Sequence, residues 1–143
     1  MSFSDEEIAY LRSNPFAQFA SLCADEQPDV VPVALEFDGT HFWVGGPGAE
    51  VLRTRKFRNI EHGRRKVAFV VDDLVSMEPF VARGLRVYGV ADGPVERVGM
   101  VGAGPYLRIT PTLSWSWNLS DPPRPVGDTW YATRRTEHRT PDR

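Results

Sequence analysis

The chain has 143 residues, 41% hydrophobic and 25% charged, the proportions of one soluble globular domain. No run approaches the ~20 continuous apolar residues of a membrane helix, and the opening MSFSDEEIAY lacks the basic start and apolar core of a secretory leader, so a cytoplasmic location is expected. One cysteine, Cys23, and three scattered histidines, His41, His62 and His138, offer neither an internal disulfide nor a metal-ligand spacing.

The first element reads as a helix over residues 4–13. Ser4 followed three residues later by Glu7 is a capping-box pattern, Phe3 and Ile8 occupy the positions of a hydrophobic staple, and Asn14-Pro15 ends the run. From Phe16 the pattern changes to strands. FAQFASLC (16–23) and VVPVALEF (30–37) flank a polar break, Asp38-Gly39 is a hairpin signal, and HFWV (41–44) supplies the return, so three strands in meander are expected. Pro32 has no N–H for a sheet ladder and belongs at an edge, a bulge or beside a ligand.

Gly45-Gly46-Pro47-Gly48 reads as a loop, and residues 50–62 as a helix capped by Gly63. VAFVV (67–71) is a short buried strand ended by Asp72-Asp73. RGLRVYGV (83–90) is another, with a turn at Asp92-Gly93-Pro94 and an extension over 95–98. In YLRITPTLSWSWN (106–118), Leu113, Trp115 and Trp117 alternate onto one face. Asp121 to Pro125 reads as extended linker, and the polar residues 134–143 as a flexible tail behind a single domain spanning 1–133. Six strands and two short helices make a mainly β fold with α, a small six-stranded barrel.

The net charge of −2 hides a concentration of cations. Seven of the 17 basic residues, Arg53, Arg55, Lys56, Arg58, Arg64, Arg65 and Lys66, share a window whose only acid is Glu61. On a helix, Arg55 lies on one face with Arg58 and Asn59, and Lys56 lies beside it. Such a face is either solvated or an anion site. Like charges this close repel each other by a few tenths of a kcal/mol per pair, which an anionic partner removes. Nucleic acid is a poor candidate for that anion, given the net negative charge and the lack of any nucleic-acid motif.

Other features read as structural. The Gly45–Gly48 and Gly102–Gly104 runs lack a dinucleotide-fold context, Cys23 suits a core thiol, and no serine sits in a nucleophile elbow. Asp72-Asp73 with Glu78 is either an acidic strand end or an acid/base cluster. Trp115 and Trp117 either fill a core or interface, or stack on a planar ring.

The succession VVPVALEFDGTHFWVGG, TRKFRNI, GRRKVAFVVDD and GLRVYGVADGPVE resembles the split β-barrel flavoproteins related to pyridoxamine 5′-phosphate oxidase, in the branch described as oxidoreductases dependent on the deazaflavin coenzyme F420. The resemblance runs over about residues 5–120, and Thr54 to Asn59 is its most specific stretch. It implies a six-stranded split barrel and a homodimer with its cofactor groove between subunits. It also implies cofactor-phosphate contacts from Lys56 and Asn59 with help from Arg53, Thr54 and Arg55, a ring system lying along Val31-Pro32-Val33, and Trp115 and Trp117 covering the ring or filling the interface.

The implied cofactor is F420, with FMN as the alternative and a non-catalytic cofactor-binding protein as a third reading. The surplus of Arg53, Arg58, Arg64 and Arg65 suits the negatively charged oligoglutamate tail of the deazaflavin. The chemistry implied is hydride transfer to a small electron-poor acceptor such as an enone or quinone. Tyr88, Tyr106 and the Asp72-Asp73 pair are the candidate proton donors.

Overall fold

The computed structural model describes residues 2–139. The first helix, α1 (Asp5–Ser13), starts as expected: the Ser4 hydroxyl accepts from the Glu7 amide at 3.2 Å, and the Glu7 carboxylate accepts from the Ser4 amide at 2.9 Å. The strands are β1 (Phe16–Leu22), β2 (Pro28–Ala34), β3 (Glu36–Phe37), β4 (Phe42–Gly45), β5 (Lys66–Ser76), β6 (Val81–Gly99), β7 (Gly102–Trp117) and β8 (Thr133–Glu137), with α2 (Arg55–Glu61) between β4 and β5. All pair antiparallel in one sheet of order β2-β1-β5-β6-β7-β4-β3, with β8 on β7.

Eight strands replace the six expected, and the three-strand meander is not formed. The stretch 30–37 breaks at Leu35, whose side chain is buried in the core, and β4 pairs with β7 instead of β2. That leaves β2 with one neighbour, so Pro32, opposite Gln18, sits on an edge strand. The Asp38-Gly39 signal does produce the β3–β4 connection. Its loop is held by the Asp38 carboxylate, which accepts from the Thr40 and His41 amides at 2.8 and 2.7 Å.

Two expected breaks are absorbed into longer strands. Asp92-Gly93-Pro94 forms a bulge within β6, with Gly93 at φ 131°, and the chain turns later at Met100-Val101. Asp72-Asp73 does not end β5 either, because Asp73 lies opposite Arg83 of β6 and accepts from its Nε at 2.8 Å and from the Tyr10 hydroxyl at 2.6 Å. This cluster ties α1 to the sheet. Partial burial acts to raise the Asp73 pKa, but the hydrogen bonds from Arg83 and Tyr10 outweigh it and hold the carboxyl below the usual carboxylate range.

A carboxyl that binds its proton less readily folded than unfolded contributes stability that is complete at neutral pH and is lost as pH falls below about 4. Asp73→Asn is therefore expected to reduce the loss of thermal stability between pH 7 and pH 3, measured by melting of both proteins. An unchanged acid loss contradicts this role.

Inward side chains of the strands form one core. Phe42 of β4 meets Phe69 of β5 at 4.8 Å between ring centroids, although β6 and β7 separate their strands, so the sheet curls until its own face closes on itself. Phe3 packs edge-on to Phe42 at 5.6 Å, bringing the start of the chain onto that core. Each such buried side chain contributes roughly 1.5–3 kcal/mol.

The segment expected as a tail is partly structured. Residues 134–137 belong to β8, and 140–143 lie outside the described residues. Polarity misleads here because the inner surface is itself polar. Thr136 lies opposite Ser114 and both are buried, the Ser114 hydroxyl shares a hydrogen bond of 2.8 Å with His138, and Arg134 pairs with the Glu7 carboxylate, whose residue is 1% exposed. With serines inward on β7, the tryptophans between them face out. Among the described residues, no helix is long and apolar enough to cross a membrane.

Candidate functional site

The basic window folds differently from one continuous helix. Ala49–Arg53 form a 3-10 turn, which Thr54 closes by donating its hydroxyl to the Val51 carbonyl at 2.7 Å, and α2 begins only at Arg55. Beginning there places Arg55, Arg58, Asn59 and His62 on one face by helical spacing, while Phe57 and Ile60 anchor the opposite side in the core.

The exposed face borders an open cleft of about 350 Å³ between α2 and the end of β1. Arg55, Arg58, His62 and Arg64 line it, with Asp25 as the only carboxylate. Arg64 is braced by donating Nε to the Leu22 carbonyl at 3.1 Å. Asn59 turns inward, donating Nδ2 to the Ser21 hydroxyl at 3.0 Å with Cys23 Sγ 3.8 Å away, and Arg55 Nη1 lies 3.9 Å from the same sulfur. The Asn59 amide hydrogen thus fixes α2 against β1.

Lys56 is half-buried beside that face and has no ion pair among the described residues. Burial pushes the pKa of its ammonium down, and the Asp29 carboxylate at the start of β2 partly restores it. A desolvated ammonium without a close counter-ion is a site whose charge an anion stabilises. Arg53 differs: it points to solvent and pairs with the equally exposed Glu50 at 3.6 Å, a contact worth little.

The other expected site residues fall in two places. Val33 is buried and Val31 packs against the core, whereas Pro32 faces outward on the strand whose far edge has no partner. That edge begins near Asp29 and therefore near Lys56. Trp115 and Trp117 are not brought to this cleft within the chain. They stand on the outer face of β7, where Trp115 meets Tyr88 edge-on at 4.9 Å and carries the Arg86 guanidinium 4.0 Å above its ring.

Among the candidate proton donors, Tyr106 donates its hydroxyl to the Gly102 carbonyl at 2.7 Å and is buried, and Asp73 is held by Tyr10 and Arg83. Tyr88, 42% exposed, and Asp72 are the two open to solvent. Sequence reading did not single out His62, Arg86 or Trp130. Helical spacing from Arg55 marks His62, and the two-residue alternation with Tyr88 marks Arg86. Trp130 had no local signal, because a loop crossing the sheet sets its position.

Among the described residues, the curled antiparallel sheet carries this cation-lined cleft beside α2. No family model matches the chain. It is 38% identical over 123 residues to the 5a,11a-dehydrotetracycline/5a,11a-dehydrooxytetracycline reductase of Streptomyces rimosus, covering 83% of this chain and 85% of that enzyme. A solved F420 reductase shares the fold with a TM-score of 0.54 and 19% identity, over 74% of this chain and 93% of its own. So does a Clostridium acetobutylicum protein of the pyridoxinephosphate oxidase family related to general stress protein 26, with a TM-score of 0.59 and 13% identity over 92% of each chain.

The protein is an oxidoreductase. It belongs to the same family as the Streptomyces rimosus reductase, and it shares its fold with the F420 reductase and the pyridoxinephosphate oxidase-family protein.

Proposed function

We propose that the chain is a reductase that binds coenzyme F420 and reduces an electron-poor, conjugated, fused-ring acceptor of the kind named for its Streptomyces relative. The observation that carries this reading is the pairing of an ammonium lacking a close counter-ion, Lys56, with a cleft of three arginines and one histidine facing a single acid.

Those residues fit the coenzyme's anionic arm. Lys56 meets the phosphate as a compact point charge, and Arg58 and Arg64 meet the carboxylates of the tail with their forked donors. The open edge of β2 around Pro32 offers backbone groups along which the ring lies. When bound, the deazaflavin supplies the hydride. The protein binds and orients both reactants, and the proton comes from solvent or from Tyr88.

A homodimer is part of this proposal. The outer face of β1, β5 and β6 carries a shallow groove of about 510 Å³ walled by Ala20, Ala68, Val90 and Tyr88, an apolar surface suited to a second copy.

FMN has a phosphate for Lys56 but no tail for Arg58 and Arg64, so the two cofactors separate in a titration. Cofactor-free protein is expected to bind F420 more tightly than FMN by calorimetry, with an advantage that shrinks as salt rises through the range that screens exposed charges. Preferential FMN binding reverses the choice of cofactor. Binding of F420 without turnover of any enone or quinone supports a carrier instead of a reductase.

A further inference from the structure

The outer face of β6, β7 and β8 carries a second cavity, of about 410 Å³, lined by Arg86, Trp115, Trp117, Trp130 and Thr133. Three of the chain's four tryptophans meet there. Its walls are fixed by local structure. Trp115 and Trp117 alternate outward because Ser114 and Ser116 face inward. Gly84 lies opposite Trp117, where a Cβ would come within 2.6 Å of the indole ring, so only glycine lets that ring lie close over β6.

Trp130 arrives on the loop between β7 and β8, whose residues 121–125 were expected as extended linker and instead fold back. Asn118 donates Nδ2 to the Ala82 and Arg124 carbonyls at 2.9 and 2.8 Å and accepts from the Arg124 amide at 2.8 Å, while the Tyr131 hydroxyl donates to the Arg124 carbonyl at 2.8 Å. The Val126 amide donates to the Phe80 carbonyl at 2.9 Å. These bonds hold a tryptophan that is 56% exposed, its ring tilted to Phe80 and edge-on to Tyr131, at 6.2 and 5.2 Å between centroids.

Arg86 supplies the polar group. Its guanidinium lies 4.0 Å over Trp115 and 5.6 Å from Tyr88, and no carboxylate or carbonyl takes its donors among the described residues. A stacked guanidinium keeps its plane parallel to the ring and its N–H edge free, which suits an oxygen anion at the rim of a flat ligand.

From this constellation we infer that the Trp115–Trp117–Trp130 cavity is a binding site for a planar, polycyclic, conjugated molecule bearing an ionised oxygen or sulfonate that pairs with Arg86. Its volume lies within the ~300–1,000 Å³ of small-molecule sites, and aromatic walls favour flat rings over compact aliphatic ones. This binding does not rest on the reductase reading, and it is separable from the basic cleft because the two sites share no residue.

The test uses cofactor-free full-length protein, with anthraquinone-2-sulfonate as the flat anion and camphorsulfonate as a compact anion of equal charge. Calorimetry is expected to show binding of the first and none of the second. Trp130→Ala and Arg86→Gln are each expected to weaken the anthraquinone at least tenfold, Trp130→Ala while leaving F420 affinity within twofold. Lys56→Ala is expected to leave anthraquinone binding unchanged while weakening F420.

Three results overturn the assignment: equal binding of camphorsulfonate, unaltered affinity in both cavity variants, or loss of anthraquinone binding in Lys56→Ala, which would place the ligand in the basic cleft. Loss of F420 binding alone would count against the cofactor reading and leave this site standing. Trp130 and Arg86 are exposed, so neither substitution threatens folding.

Discussion

Lys56→Ala is expected to weaken F420 binding ten- to a hundredfold without lowering the melting temperature. The two halves of this expectation have one cause. Lys56 is half-buried, its charge is destabilised by that burial, and only the Asp29 carboxylate offsets it. Deleting the ammonium therefore relieves the free protein of a desolvated cation while removing from the complex a charge-assisted contact of roughly 1.5–3 kcal/mol. A residue that served folding would show the opposite pattern, lost stability with affinity retained. Lys56→Arg is expected to restore affinity only in part, since a fork of donors does not replace a point charge in a half-closed site. Calorimetric titration with parallel melting curves reads both quantities.

Phe42→Ala is expected to destabilise the protein by about 3–5 kcal/mol, the largest effect of any substitution considered. Phe42 is fully buried and its ring meets those of Phe3, Phe37 and Phe69 at 5.6, 4.5 and 4.8 Å. Those contacts join the beginning of the chain, the β3–β4 hairpin and the central strand β5, three parts with no hydrogen-bonded ladder between α1, β4 and β5. Truncating the ring leaves a cavity where the sheet closes on itself, and neighbours on three elements cannot collapse into it together. Urea unfolding monitored by circular dichroism measures the change. A loss below about 1 kcal/mol would mean that closure of the sheet does not depend on this cluster. Because α2 packs on the same core through Phe57 and Ile60, the basic cleft is expected to loosen as well.

Local grammar was legible wherever a short-range rule decided the outcome. The Ser4–Glu7 capping box and the placement of Arg55 and Asn59 on one helix face follow from spacing alone, and the missing N–H of Pro32 narrows its place to an edge, a bulge or a ligand's side, of which the edge is the one found. The long-range pairings were not legible. Asp72-Asp73 looks like a strand end until Arg83 is known to lie opposite, and Asp92-Gly93-Pro94 looks like a turn until the bulge in β6 is seen.

The strand at Thr133–Glu137 looked like a tail because its buried partners, Ser114 and Glu7, are polar, so the usual link between burial and hydrophobicity fails. At the candidate site, the residues of one helix were readable, whereas the cavity of Trp115, Trp117 and Trp130 depends on a return of the chain over residues 118–132 that carries no periodic signal.

The most direct test of the central claim is a crystal structure of the protein loaded with F420. The account predicts a phosphate oxygen within hydrogen-bond distance of Lys56 Nζ, the tail carboxylates alongside Arg58 and Arg64, and the ring against the open edge of β2. A coenzyme held elsewhere, with Lys56 and the arginine-lined cleft left to solvent, would contradict it.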